Sequence, residues 1–244
     1  MNQPSTPRIG FDRTIRLAWL DATAEMVASG RSEAEVRASL NEMLKEAIAG
    51  EAARKKTLAV ISGLWLRPKG YAVVLQKDAA AWYPRMPPRQ RIAVHWGLAI
   101  TASAFFFEFV HQLGRLVRLQ EEFASAQIIR RVRERFGDRD VVERAGYHVL
   151  ASLVEWGVVE ESEQRGVYHT TSPLSIEDLA ISSWLMEATI AAQQASRAPL
   201  HSIAQASALF PFVLPVAGEI RAYDSPRLEF SRQGVDEEVV ALVR

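Results

Sequence analysis

Apolar residues recur at helical spacing along most of the chain. In residues 11–29, Ile15, Leu17, Ala18, Trp19, Ala22, Met26 and Val27 trace one face, and Gly30 supplies a stop. Ser32, with Glu35 three residues on, reads as a capping box that opens a second helix running to about Ile48. A third helix starts near Glu51 and carries Leu58, Ile61 and Leu64 on its apolar side. Together these predict a small N-terminal bundle. Residues 72–83 fit a short helix, and Pro84, Pro87 and Pro88 a loop.

Residues 92–110, IAVHWGLAITASAFFFEFV, form the most apolar run. Its length would suit a membrane span. His95, Glu108 and Gly97 lie inside it, so the pattern points to a core helix or a broken helical pair, with helical character continuing towards Phe123.

The pattern changes in residues 127–171. Ile128, Ile129, Val132 and Phe136 share an apolar face, with Arg130, Arg131, Arg133 and Arg135 around the other side. Gly137-Asp138 reads as a turn, with Asp138 as an N-cap. A second helix then runs over residues 140–156. Val141, Ala145, Val149, Leu150, Leu153 and Val154 read as its buried stripe, leaving Glu143, Arg144, Tyr147, His148 and Ser152 outward. Gly157 ends it. Residues 158–159 and 167–169 pair as strands around a polar tip. Helix, turn, helix and hairpin make a winged helix-turn-helix, an element that lays one helix across the nucleic-acid backbone and seats the next in the major groove.

Residues 175–194 read as an amphipathic helix, and Pro199 opens a helical segment through Phe210. A short strand at residues 227–231 and a last helical turn at 236–243 close the chain. No internal repeat is visible in the residues. The pattern predicts a mainly α protein in three parts: residues 1–122 as the helical bundle, 123–175 as the winged element, and 176–244 as a C-terminal helical extension with a short tail strand.

Charge sharpens this picture. The formal total is zero, from 29 Lys/Arg and 29 Asp/Glu. Residues 1–150 hold 23 basic against 16 acidic residues, and residues 151–244 hold 6 against 13. That asymmetry suggests a polyanion partner for the first part. Two basic clusters precede the winged element: Arg54, Lys55 and Lys56, and Arg85, Arg89 and Arg91. Within residues 127–144, six arginines face four acids, and the wing tip holds Glu160, Glu161 and Glu163 with Arg165. The helices therefore have to supply most contacts to DNA.

The chain has no cysteine, which excludes disulfides and thiol chemistry and suits a reducing cytoplasm. The opening MNQPSTPRIGFDRT does not read as a signal peptide. The five histidines have no zinc-ligand spacing, and no phosphate-loop, dinucleotide or nucleophile-elbow motif appears. The residues thus point to a protein that is not an enzyme, with no metal and no cofactor.

Three stretches resemble the BrxA family of bacterial BREX phage-defence systems in pattern and order: EAARKKTLAVISGLWLR, RIAVHWGLAITASAFFFEFVHQLGRLV and DRDVVERAGYHVLASLVEWGVVEE. They lie within about residues 10–175; residues 176–244 are an extension beyond the resemblance. The resemblance implies a DNA-binding accessory role without catalysis. The expectation is a cytoplasmic binder of double-stranded DNA, with no membrane association. Arg144, Tyr147 and His148 would face the groove. Arg130, Arg131, Arg133, Arg135 and Arg139 would hold phosphates, with Arg54, Lys55 and Lys56 extending that surface. The alternative is an interaction scaffold whose winged element and acidic C-terminal region dock partner subunits.

Overall fold

Phe11 and Ile15 are both fully buried, and this decides how the chain begins. The computed structural model describes residues 9–233 and 237–243. Residues 11–16 do not extend the first helix, as their apolar spacing predicts; α1 spans Leu17–Ala28. The Ile15 backbone is occupied elsewhere. Its N–H donates to Ser152 Oγ at 2.8 Å, and its carbonyl accepts from Trp156 Nε1 at 2.8 Å. The opening segment is therefore a strap laid across a helix far along the chain.

α2 (Glu33–Ala47) begins as predicted: Ser32 Oγ accepts from the Glu35 N–H, and the Glu35 carboxylate accepts from the Ser32 N–H. α3 (Glu51–Trp65) and α4 (Ala72–Trp82) complete the N-terminal helices. The apolar run divides into α5 (Arg91–Ala102) and α6 (Ala104–Val117), bent by 117° at a break where Ser103 caps α6. Among the described residues, no single helix is long and apolar enough to cross a membrane.

α6 leads into β1 (Glu122–Ala124), α7 (Ser125–Phe136), α8 (Asp140–Glu155), β2 (Val159–Glu161) and β3 (Val167–Thr170). The three strands form an antiparallel sheet of order β1-β3-β2, with Phe123 opposite Tyr168. The short β4 (Leu174–Ser175) follows, then α9 (Leu179–Ala192), whose residues from Ile181 to Ile190 are all buried. Burial all round follows from its position between α5 and the last part of the chain.

That last part is more than a helical extension. It comprises β5 (Arg197–Pro199), α10 (Leu200–Ala204), β6 (Phe212–Val213), α11 (Ala217–Ala222), β7 (Leu228–Gln233) and β8 (Glu237–Leu242). β6 pairs with β4, while the other strands form a sheet of order β5-β8-β7. The helical turn predicted at residues 236–243 is strand β8 over its described residues. Val240 is buried and pairs with both Ala198 and Phe230, so pairing on two sides outweighs the local helix formers.

The two halves of this description match. Helix, strand, helix, helix and hairpin occur in α6–β1–α7–α8–β2–β3 and, in a reduced form, in α9–β5–α10–α11–β7–β8, where β6 is inserted between α10 and α11 and these helices have five and six residues against twelve and sixteen. In each sheet the last strand of the hairpin lies in the middle. Both leading helices have 14 residues and both first strands three. Ala104, Glu122 and Ser125 correspond to Leu179, Arg197 and Leu200, each 75 residues on. The repeat absent from the residue identities is present in the backbone. Ile128 and the buried Ile203 keep the same place in it, while almost everything around them has changed.

One main core runs from Phe11 to Phe212 through all three predicted parts. A smaller core of Met186, Ile190, Leu200, Ile203, Ile220, Leu228 and Val240 serves the second copy alone.

Candidate nucleic-acid interface

α7 follows directly from β1. Gln127 turns its side chain back to accept from the Ala124 N–H at 2.8 Å, satisfying a free amide at the start of the helix. Ile128, Ile129, Val132 and Phe136 are buried, as their spacing predicts. Gly137 makes the turn at φ 89°. Asp138 does not cap α8: the N-cap is Arg139, without a side-chain bond, and Asp138 is ion-paired with Arg133 instead.

The arginines of α7 divide between two faces. Arg133 holds both Asp138 and Glu143, the latter at 2.6 Å. Arg135 lies 3.1 Å from Glu108 of α6, whose carboxylate is nearly buried and also accepts from Gln112. Arg139 donates to the Phe136 carbonyl at 3.0 Å. Arg130 is exposed and Arg131 half-buried, and among the described residues no carboxylate pairs with either, or with Arg139 or Arg144. Arg130, Arg133, Asp138, Glu143 and Tyr147 line one open hollow of about 430 Å³ between α7 and α8.

α8 is rotated from its predicted setting. Its buried residues are Val142, Ala145, Gly146, Val149, Leu150, Ser152 and Leu153. Val141 and Val154, expected inside, are each 39% exposed, and Ser152, expected outside, is fully buried under the strap. Arg144 and Tyr147 face outward as expected. His148 is half-buried, its Nδ1 3.0 Å from Thr14 Oγ1. Burial, with Arg13 nearby, holds its imidazole below the ordinary histidine range. Arg13 thus joins the edge of this surface through a contact between residues 134 apart (Thr14 and His148), which no local signal announces.

The cluster on α3 is separate. Arg54 donates to the carbonyls of Ile48 and Ala49, closing the end of α2, and Lys55 pairs with Glu51. Lys56 alone of the three is exposed and free of a carboxylate among the described residues. α3 packs on α1, α2 and α5, whereas α7 packs on α6 and α8. The turn between β2 and β3 is acidic: the Glu161 carboxylate accepts from the Gly166 N–H, and Glu160 lies 3.6 Å from His169.

One group with catalytic chemistry occurs elsewhere. His95 accepts from Trp65 Nε1 at 3.1 Å on Nδ1, and its Nε2 lies 2.9 Å from Asp21 Oδ1, which also accepts from Tyr83. Burial drives the His95 imidazole below its usual range despite the carboxylate. Neither the hollow at α7–α8 nor the shallower one between α1 and α2 reaches it. The group binds α1, α3 and α5 together. Among the described residues, no cluster of three or more His, Asp or Glu side chains suits a metal ion.

No protein-family model matches the chain, and no curated protein or solved structure does either.

Proposed function

We propose that residues 104–170 form a winged helix-turn-helix that binds double-stranded DNA, with α8 in the major groove and α7 beside the backbone. The chain is then a DNA-binding accessory protein without catalysis, the role that the BrxA-like stretches imply in phage defence.

The observation that carries this reading is the internal comparison. One chain runs through a similar order of elements twice, and only the first copy carries arginines on the helix after the first strand. α10 (Leu200–Ala204) has five residues and no arginine, whereas α7 has twelve residues and four arginines. Arg130 and Arg131 pair with no carboxylate among the described residues, so a ligand accounts for them better than folding does. Arg130, Arg131, Arg139 and Arg144 are the phosphate and base contacts of this proposal. Arg133 and Arg135 are committed to carboxylates, Arg54 to the end of α2 and Lys55 to Glu51.

Electrophoretic mobility of a short duplex at low salt tests the proposal. The wild type retards it, and Arg130→Ala with Arg131→Ala weakens retardation for every sequence tried. Failure of the wild type to retard any duplex overturns the reading.

A second reading, docking of partner subunits, draws on the acidic wing tip and the acidic balance of residues 151–244. It predicts co-purification of a partner that is lost when Glu160, Glu161 and Glu163 are changed to lysine, with no affinity for DNA.

A further inference from the structure

Eight large apolar residues are exposed among those described, and three of them lie on α8: Val141, Tyr147 and Val154. Tyr147 is 44% exposed and lines the same hollow as Arg130. Val141, Arg144 and Tyr147 follow one another at three-residue intervals, an oblique row across the outward face of the first half of the helix. Six residues of helix cover about 9 Å along the axis, a span of two to three base-pair steps at about 3.4 Å each. Valine can make no hydrogen bond. The apolar group that the major groove offers is the C5-methyl of thymine, and it offers it beside the acceptor pair of guanine that arginine recognises.

We infer that α8 reads thymine methyl groups through Val141 and Tyr147, with Arg144 between them directed at guanine. The inference rests on the DNA-binding reading above and names what that site selects. A protein partner is the less suitable occupant. Arg144 in this row and Arg130 and Arg139 beside it have no carboxylate partner among the described residues, a concentration of positive charge that a phosphate backbone neutralises. Asp140, exposed in the first turn of α8, belongs to the same face and can accept from the cytosine amino group. The face thus carries a separate chemical group for several base edges.

The test uses the full chain. The duplex bound best is selected from a random pool, and its affinity is measured by fluorescence anisotropy. The same duplex is then measured with every thymine replaced by uracil, which removes the methyl groups and leaves phosphates and hydrogen-bonding edges in place. Burying one methyl corresponds to about a fourfold gain in affinity, so the wild type binds the thymine duplex at least about fourfold more tightly. Val141→Ser and Tyr147→Ser each bring the ratio towards one, without changing the salt dependence, and Val141→Ile keeps it. Melting curves of the variants confirm folding, which exposed positions allow. Equal affinity of the wild type for the two duplexes overturns the inference while leaving DNA binding intact. An unchanged ratio in the doubly substituted variant also overturns it. Absence of binding to any duplex overturns the DNA reading itself.

Discussion

A methyl group on Gly97 of α5 would lie 2.1 Å from the Trp184 ring of α9. Trp184 is buried and donates to the Leu75 carbonyl at 3.2 Å, so it has little room to move. Gly97→Ala is therefore expected to cost about 1–3 kcal/mol by overpacking, seen as a lowered midpoint in urea. Gly63, inside α3, has nothing within 4 Å of its added methyl. Gly63→Ala is expected to raise stability by about 0.5–1 kcal/mol, because alanine loses less freedom in a helix. His95 makes a pH prediction. Its folded imidazole titrates below the unfolded one, chiefly through burial, against the pull of Asp21. The unfolded chain then binds more protons just below the ordinary histidine value of about 6.5, and stability falls as pH falls through that region. The melting temperature should drop between neutral pH and pH about 5, and His95→Gln should flatten that drop. Tyr83 and Arg91 also adjoin the pair, but Tyr83 is pushed further above its usual range and Arg91 stays charged.

At the scale of elements, α7 separates arginines paired within the fold from arginines with no carboxylate partner among the described residues. Arg135→Ala removes the partner of a nearly buried Glu108. It is expected to lower stability by about 1 kcal/mol, reduced by the exposure of Arg135, and to leave the salt dependence of DNA binding unchanged. Arg130→Ala should do the reverse, reducing the slope of log affinity against log salt by about 0.9 with no loss of stability. Thermal melting beside binding isotherms distinguishes the two. This separation was only half legible in the sequence. The apolar face of α7, the Ser32–Glu35 cap and the hairpin 159–170 follow from local spacing, and the structure has them. The setting of α8 does not follow, because the strap at residues 11–16 buries Ser152 and leaves Val141 and Val154 outside. The pairing of Arg133 and Arg135 was also hidden, since spacing along a helix does not say which carboxylate another helix brings. Strands β1 and β5, three residues each, are too short for any periodicity to show.

At the scale of the molecule, α9 packs against α5 in the main core, and an ionic junction ties the second copy of the repeat to α4 as well. Arg227, just before β7, bonds Glu187 of α9 and Asp78 of α4, and Tyr71 donates to Glu187 at 2.7 Å. Glu187 is almost fully buried, so Arg227→Ala leaves a buried charge with only a hydroxyl beside it. The expected loss is about 3–5 kcal/mol, with amide exchange rising first in β7 and β8. Arg227→Lys should restore part of it. The repeat escaped the sequence because its copies share sheet order, the spacing of their first elements and Ile128/Ile203, but neither the lengths of the later helices nor much chemistry. The claim that the arginines of the first copy serve DNA is tested most directly by anisotropy of a labelled duplex titrated with salt. The account predicts that log affinity falls linearly with log salt, and that Arg130→Ala with Arg131→Ala makes the slope shallower by about 1.8, since each phosphate contact contributes about 0.9. An unchanged slope in that variant, or no binding by the wild type at low salt, would contradict it.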